Sequence, residues 1–332
     1  MRATVRDVAH LAGVSPKTVS NVVNGLVRVS PTTREKVEKA LAALDYVPNL
    51  SARGLRNGRT GVIALAMPDL STPYAAEIAH HIVLEAAVRG WSVQIEETGK
   101  GSAAREAELL SRASEHLVDG LILNPVLLET SAVQRGVSLP PVVLIGEVDQ
   151  PIADHVWVDN VTAARAMTEL LISSGHRRIA VLGSMRAETA RLRTAGYLAA
   201  LREAGRRRDP RLEIACTVWT AAGAAAAMDQ WLQTNEPPDG LFCFTDSMAL
   251  GALHALALAG LRVPVDVSVV GYDDVPESAY FAPALTTVSF DKRDFACSAL
   301  DLLADRIGSP SDATVSKTIP FTIVERASVG SR

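Results

Sequence analysis

Cysteine is scarce: three residues, Cys216, Cys243 and Cys297, an odd number with no CxxC pair. That leaves nothing for a disulfide framework or a cysteine zinc site and fits a reducing cytoplasm. No apolar run approaches the ~18–20 residues that cross a bilayer. The opening Met1-Arg2-Ala3-Thr4-Val5-Arg6-Asp7 lacks the apolar core of a secretion signal, so the chain is expected to stay in the cytoplasm, with no membrane partner. Histidines 10, 80, 81, 116, 155, 176 and 254 form no HxxxH or HExxH pattern, and His80 and His81, adjacent on a helix, do not share a face. GxSxG, the phosphate-binding GxxxxGK run and GxGxxG are all missing at strand-to-helix turns. No catalytic residue, metal or cofactor is therefore expected, and an enzyme has no positive support.

What is present is ordinary globular material, 48% hydrophobic and 21% charged over 332 residues, enough for two or three domains. Its charge is unevenly spread. Residues 1–60 hold ten Lys and Arg against four acids, a net of +6, so the rest carries −10 of the overall −4. A compact basic head on an acidic body places a polyanion at the head alone.

Within the head, Val5, Val8, Ala9 and Ala12 recur at helical spacing behind Thr4 and Asp7, an N-cap and a first-turn acid. Gly13 ends that helix, and Ser15-Pro16 opens a second, with Val19, Val22 and Val23 inward. Ser30-Pro31 repeats the start signal for a third, which buries Val37, Ala40, Leu41 and Leu44. Two short helices joined by a Gly-containing turn and braced by a third match a helix-turn-helix, whose second helix enters the major groove. That places Pro16, Lys17 and Asn21 at base edges, where Asn pairs with adenine and Lys reaches guanine acceptors. Ser15, Thr18, Ser20 and Asn24 are candidates for the phosphate backbone. The alternative is a plain three-helix bundle with polar residues facing water; the basic charge favours DNA.

From Gly61 the rhythm changes to apolar strands alternating with helices: strands at 61–67, 91–96, 120–123 and 142–145, with helices at 74–89 and 102–116. After 159 the series restarts, with helices at 161–174, 188–204, 222–234 and 246–259. Its strands are read at 178–182, 213–218, 239–244 and 267–271, and a last one at 315–326. Such alternation implies parallel sheets covered on both faces. Asp246 reads as the cap of its helix, and Trp91 and Trp231 as core packing.

The run Thr4-Val5-Arg6-Asp7-Val8-Ala9, then Ala12-Gly13-Val14-Ser15 and Thr18 through Gly25, resembles the N-terminus of the lactose/galactose repressor (LacI/GalR) family. Val29 through Arg34 and Tyr46-Val47-Pro48-Asn49 continue it in register. The body carries matching runs, among them Val118-Asp119-Gly120-Leu121-Ile122, Gly175-His176-Arg177-Arg178-Ile179, Asp246 through Leu253 and Val269 through Asp274. The resemblance covers essentially the whole chain. It implies a small all-α helix-turn-helix head plus an α/β body of two doubly wound parallel-sheet subdomains like a periplasmic binding protein. The expected division is a DNA-binding domain over 1–48, a hinge helix and linker over 49–60, and an effector-binding and dimerisation domain over 61–332. Its N-subdomain is expected at about 61–159 and 290–319, its C-subdomain at about 160–289 and 320–332.

The same resemblance implies a repressor that binds double-stranded operator DNA as a homodimer, in the cytoplasm and at the nucleoid, under the control of a small-molecule effector. It makes Leu55 a minor-groove wedge, with Ala52 and Arg53 at the same surface. Gly54 departs from the more usual Ser there and lowers helix propensity by up to ~1 kcal/mol relative to Ala. It assigns effector contacts to Arg193, Asp273 and Trp219, and more weakly to Tyr74, Thr189, Thr245, Phe290 and Glu147. A guanidinium fork suits several hydroxyls or a carboxylate, and an indole stacks on a ring face. Thr245 stands where sugar-binding members often have Asn, Ala75 where purine-binding members have an aromatic, and Glu147 in place of an Asp at the cleft edge. Phe290 and Lys292 alter the crossover segment. The effector is left unnamed, with a leaning toward a sugar or polyol. The ending near strand 315–326, with no apolar heptad tail, favours a dimer over a tetramer. A solute-binding protein or an α/β enzyme sharing the body fold is the alternative reading.

Overall fold

The computed structural model describes residues 3–24, 29–46, 59–99, 102–115, 117–126, 141–147, 153–184, 187–309 and 313–332. The chain divides into two compact units, Met1–Thr60 and Gly61–Arg332. The hinge residues Ala52, Arg53, Gly54 and Leu55 lie outside the described residues.

The first unit holds α1 (Val5–Ala12), α2 (Pro16–Asn24) and α3 (Pro31–Ala43). Thr4 and Asp7 form a reciprocal capping box, with the Thr4 amide donating to Asp7 Oδ2 at 2.8 Å. Gly13 turns the chain at φ 65°, a left-handed conformation that a side chain resists. Ser15 Oγ accepts from the Thr18 amide at 3.1 Å, and Ser30 caps α3 through the Thr33 amide at 3.3 Å. Val8, Ala9, Val19, Val22, Val37 and Ala40 close a small core of their own.

In the second unit the order is β1 (Val62–Met67), α4 (Pro73–Val88), β2 (Ser92–Glu97), α5 (Ala103–Ser114), β3 (Gly120–Leu123), β4 (Val142–Ile145) and β5 (Asp154–Val158). There follow α6 (Asn160–Ser173), β6 (Ile179–Ser184), α7 (Glu188–Glu203), β7 (Glu213–Ala215), α8 (Ala221–Leu232) and β8 (Gly240–Cys243). The chain continues through α9 (Asp246–Leu258), β9 (Ser268–Tyr272), β10 (Thr286–Phe290), α10 (Lys292–Gly308), β11 (Ser316–Ile319) and β12 (Phe321–Val324). Two six-stranded sheets result, ordered β11-β5-β4-β3-β1-β2 and β12-β10-β9-β8-β6-β7. Central strands such as β3, β4 and β8 are buried at every residue, because helices cover both faces; hence the unbroken apolar runs.

The expected last strand, 315–326, is two strands in two different sheets. Pro320, which has no amide to donate, separates β11, parallel to β5, from β12, antiparallel to β10. The expected strand 213–218 stops at Ala215, and Thr217 and Val218 turn out to rim the cavity described below. The chain passes between lobes after β5, after β10 and at Pro320. An ion pair between half-buried Arg306 and buried Asp154 secures the third passage. Arg306 Nε and Nη2 donate to the two oxygens of Asp154 at 2.6 and 2.7 Å, and Asp154 Oδ1 also accepts from the Val315 amide at 2.7 Å.

Candidate functional site

On the head, the residues predicted to read DNA occupy α2 and its cap. Ser15, Pro16 and Lys17 are exposed, while Thr18, Ser20 and Asn21 are half-buried. Asn24 is the last residue of α2. The Ser15 and Thr18 hydroxyls lie 2.9 Å apart and bond each other. The cap that starts the helix thus uses the groups expected at phosphates.

In the body, a cavity of about 210 Å³ opens between the carboxyl ends of the strands of both sheets. That is where open α/β sheets bind small molecules, because strand ends and helix starts converge there. All eight residues predicted to contact an effector line it: Tyr74, Glu147, Thr189, Arg193, Trp219, Thr245, Asp273 and Phe290. Their positions follow from local structure. Tyr74 starts α4 behind the cap Thr72, and Glu147 follows β4. Thr189 and Arg193 lie one turn apart on α7. Trp219 precedes the α8 cap Thr220, Asp273 follows β9, and Phe290 ends β10.

Arg193 is buried at 4% exposure and held by two protein acceptors. Its Nε donates to Asn160 Oδ1 at 2.7 Å, Nη1 donates to the Phe244 carbonyl, and Nη2 lies 3.9 Å from Asp273 Oδ1. The guanidinium carbon stands 3.4 Å above the Tyr272 ring, a cation–π contact that fixes its plane. Burial pushes the Asp273 carboxyl well above the usual carboxylate range, against the pull of the Arg193 cation. Asp273 and Asp274 adopt φ of 110° and 48°, conformations that cost a non-glycine residue of order 1–3 kcal/mol and cluster at functional sites. The surroundings hold that turn in place: Arg326 Nη2 bonds Asp274 Oδ1 at 2.7 Å, and Lys292 Nζ donates to the Asp274 carbonyl at 3.2 Å.

Across the cavity, Glu147 accepts from Thr189 Oγ1 at 2.7 Å and from Asn160 Nδ2 at 3.0 Å. Glu147 follows a strand of one sheet and Thr189 starts a helix of the other lobe, so this carboxylate bridges the cleft. Thr245 serves twice: it caps α9 by accepting from the Met248 amide at 3.1 Å and it lines the cavity.

Asp246 is not the cap that its sequence position suggests, because Thr245 holds that place. Its carboxylate turns inward, accepting from Thr287 Oγ1 at 2.6 Å and from the Val275 amide at 3.0 Å. Gly271 makes room for it, since a Cβ there would stand 2.2 Å from Asp246 Oδ1. Burial pushes the Asp246 carboxyl up to about 7, against those two hydrogen bonds. The folded state then binds this proton more tightly than the unfolded chain, whose Asp titrates near ~3.9. The stability it contributes is full below about pH 4 and is lost as pH rises through about 7, on the order of 4 kcal/mol in all. We expect the stability difference between the parent and Asp246→Asn, read from urea unfolding at pH 4 to 8, to shrink as pH rises. A difference independent of pH would refute the assignment.

Sequence reasoning missed Asn160, which joins Glu147 to Arg193 and also donates to the Val158 carbonyl at 2.9 Å. It missed Tyr272, Phe244 and Asn124 as well. Tyr272 adjoins Asp273 and was within reach of the same reasoning. Asn160 and Asn124 carry no signal beyond a polar residue just past a strand.

Comparison with known proteins follows the same division. The profile of bacterial regulatory proteins of the lacI family matches residues 4–49, and that of the periplasmic binding protein-like domain matches residues 168–329. The HTH-type transcriptional repressor PurR of Aliivibrio salmonicida is 33% identical over 311 residues, 92% of each chain. Among solved structures, the lac repressor dimer bound to operator and the anti-inducer ONPF superposes with a TM-score of 0.85 at 31% identity, over 99% of this chain and 100% of that one. The complex of the transcriptional regulator CelR with cellobiose gives 0.73 at 31% identity, over 98% and 100%.

Proposed function

The chain belongs to the lacI family of bacterial regulatory proteins, and from that premise we propose how its parts divide the work of an effector-controlled transcriptional repressor. The protein is a sequence-specific DNA-binding regulator and not an enzyme, which displaces the solute-binding and enzymatic alternatives. The observation that carries the assignment of parts is the coincidence of two sites in one chain. One is a basic helix-turn-helix with Lys17 exposed; the other is a closed-in cavity lined by all eight predicted effector residues.

In this reading Pro16, Lys17 and Asn21 read bases, and Ser15, Thr18, Ser20 and Asn24 position the helix on phosphates. The effector, a sugar or related metabolite, sits against Arg193, Asp273 and Trp219. A carboxylate that bridges the lobes, Glu147, makes the cavity sensitive to the angle between them. A ligand with different affinity for two such angles shifts their populations, and that difference is the coupling free energy. A homodimer supplies two recognition helices to a pseudo-palindromic operator and lets the two hinge segments, residues 49–60, order against each other with Leu55 as the wedge. Apolar side chains left in water support self-association: Val88 at 82% and Tyr280 at 87% exposure, with Leu84, Leu250 and Leu258. Such a protein works in the cytoplasm, where its DNA is, and associates with the nucleoid.

The test is a gel shift with DNA flanking the coding region, repeated over a salt series. Specific retardation with a steep salt dependence is expected, roughly one counterion per phosphate contact. Leu55→Ala should weaken binding to that site by about tenfold or more and binding to random DNA far less, since only a kinked site uses the wedge. No specific site in that DNA, or equal losses on both DNAs, refutes the respective assignment.

A further inference from the structure

We infer that two copies of the chain meet through one helix face in each lobe, and that His80 and His254, the titratable groups exposed on those faces, make the assembly come apart in mildly acidic solution. This rests on the homodimer reading above and adds to it a control by protons.

The first observation is what the two faces lack. The exposed residues of α4 are Ala76, His80, Val83, Leu84, Ala87 and Val88, and those of α9 are Leu250, His254, Ala257 and Leu258. Each set follows the three- and four-residue steps of a single helical face. A helix face turned to water ordinarily carries charged side chains, and these two carry no Lys, Arg, Asp or Glu on a body whose net charge is −10. A second copy of the chain is the occupant that such faces fit. A two-fold axis sets a patch against its own twin, so a patch of one sign repels itself and a neutral apolar one does not. A lipid surface fits less well, because it calls for a basic face beside the apolar one.

The second observation concerns the charges around each imidazole. Helix α10 and strand β2 pack against α4. The charges that α10 brings are paired: Lys292 with Glu77 at 3.2 Å, Arg293 with Glu85 at 2.8 Å and Asp301 with Arg89 at 2.6 Å, with Cys297 beside Glu85. On β2, Glu96 lies 3.7 Å from Arg105, and Glu97 accepts from the Leu70 amide at 3.2 Å. His81 falls in the helical row of Glu77 and Glu85, and its ring meets that of His80 edge-on, centroids 5.5 Å apart. Around His254, α8 brings Asp229, which accepts from Gln233 Nε2 at 3.3 Å. Strands β8 and β9 bring buried Cys243 and Tyr272, and Glu277 is exposed on the turn after β9. Among the described residues neither His80 nor His254 pairs with a carboxylate, whereas His176 stands 3.9 Å from Asp239. Water solvates both exposed rings in the free chain, protonated or not. Between two copies an imidazolium would lie in an apolar contact without a counter-ion, which burial penalises. Separated chains then bind these protons more tightly than the dimer does. Because an imidazole takes up its proton near pH ~6.5, association is full above about pH 7.5 and is lost as pH falls through about 6.

The test is sedimentation equilibrium of the full chain at constant ionic strength. The dimer dissociation constant is expected to rise at least about 100-fold between about pH 7.5 and about pH 5.5, roughly tenfold for each of two or more imidazoles. His80→Gln combined with His254→Gln, both at exposed positions, should flatten that rise to within about threefold. Dilution calorimetry of the parent at about pH 6, in buffers of different ionisation heat, should count at least about one proton taken up for each dimer that separates. If the double variant no longer dimerises, that proton count decides. The inference is overturned if the parent's dissociation constant does not move with pH, if the double variant keeps the parental slope, or if no proton is taken up. A parent that is monomeric at micromolar concentration at every pH overturns the homodimer reading too, a result distinct from a dimer indifferent to pH.

Discussion

Replacement of Arg193 by Ala should abolish the response to effector while leaving operator binding in its absence near the parent level. The guanidinium organises the floor of the cavity, holding Asn160, the Phe244 carbonyl and the Tyr272 ring in one arrangement and facing Asp273. Its loss removes several charge-assisted contacts at once, each worth about 1.5–3 kcal/mol, so effector affinity should fall by roughly 100-fold or more. The fold should survive, because Asp273 answers the missing cation by taking up a proton, which its burial already favours. Arg193→Lys should behave almost as badly, since an ammonium cannot bond Asn160 and the carbonyl in two directions while lying flat on a ring. The measurement is operator affinity with and without a compound to which the parent responds. An Arg193→Ala protein that still responds at the parental concentration would sink the assignment.

Removal of residues 1–60 should abolish operator retardation and leave the ligand-binding body folded. The two units close separate cores, one around Val8, Val19 and Val37, the other running through both sheets of the body. What remains after truncation carries −10, by the count over residues 61–332, and is repelled by a polyanion. Specific protein–DNA recognition exceeds non-specific binding by roughly 4–10 kcal/mol, and here even the non-specific part should vanish. Expected, then, is a loss of at least about 1000-fold in DNA affinity with an unchanged thermal shift by the effector. A truncated body that still retards the operator would show that the basic head is not the DNA-binding element.

The helix starts were legible because their chemistry is local. Thr4 with Asp7, Ser15 with Pro16 and Ser30 with Pro31 announce three helices within a few residues of each event, and the structure caps them there. The central strands were legible for a similar reason, an apolar run being what a strand covered on both faces must be. Errors fell where a distant neighbour decides. The stretch 315–326 has the composition of one strand, and its division at Pro320 follows from which sheet edge is open on either side. Asp246 has the position of a cap, yet the hydroxyl of the residue before it caps the helix, and room left by Gly271 draws the carboxylate inward.

The order of residues along the chain determined the helix-turn-helix, the alternation of strand and helix, the charge contrast between head and body, and, through the family resemblance, eight of the side chains around the cavity. Tertiary structure alone decided what those side chains are free to do. What Arg193 and Glu147 bond is set by Asn160, Phe244, Thr189 and Tyr272, which converge on the cavity from several elements. Charge state and free hydrogen-bonding capacity are properties of neighbours in space, and strand order and lobe pairing bring those neighbours together across more than a hundred residues of sequence.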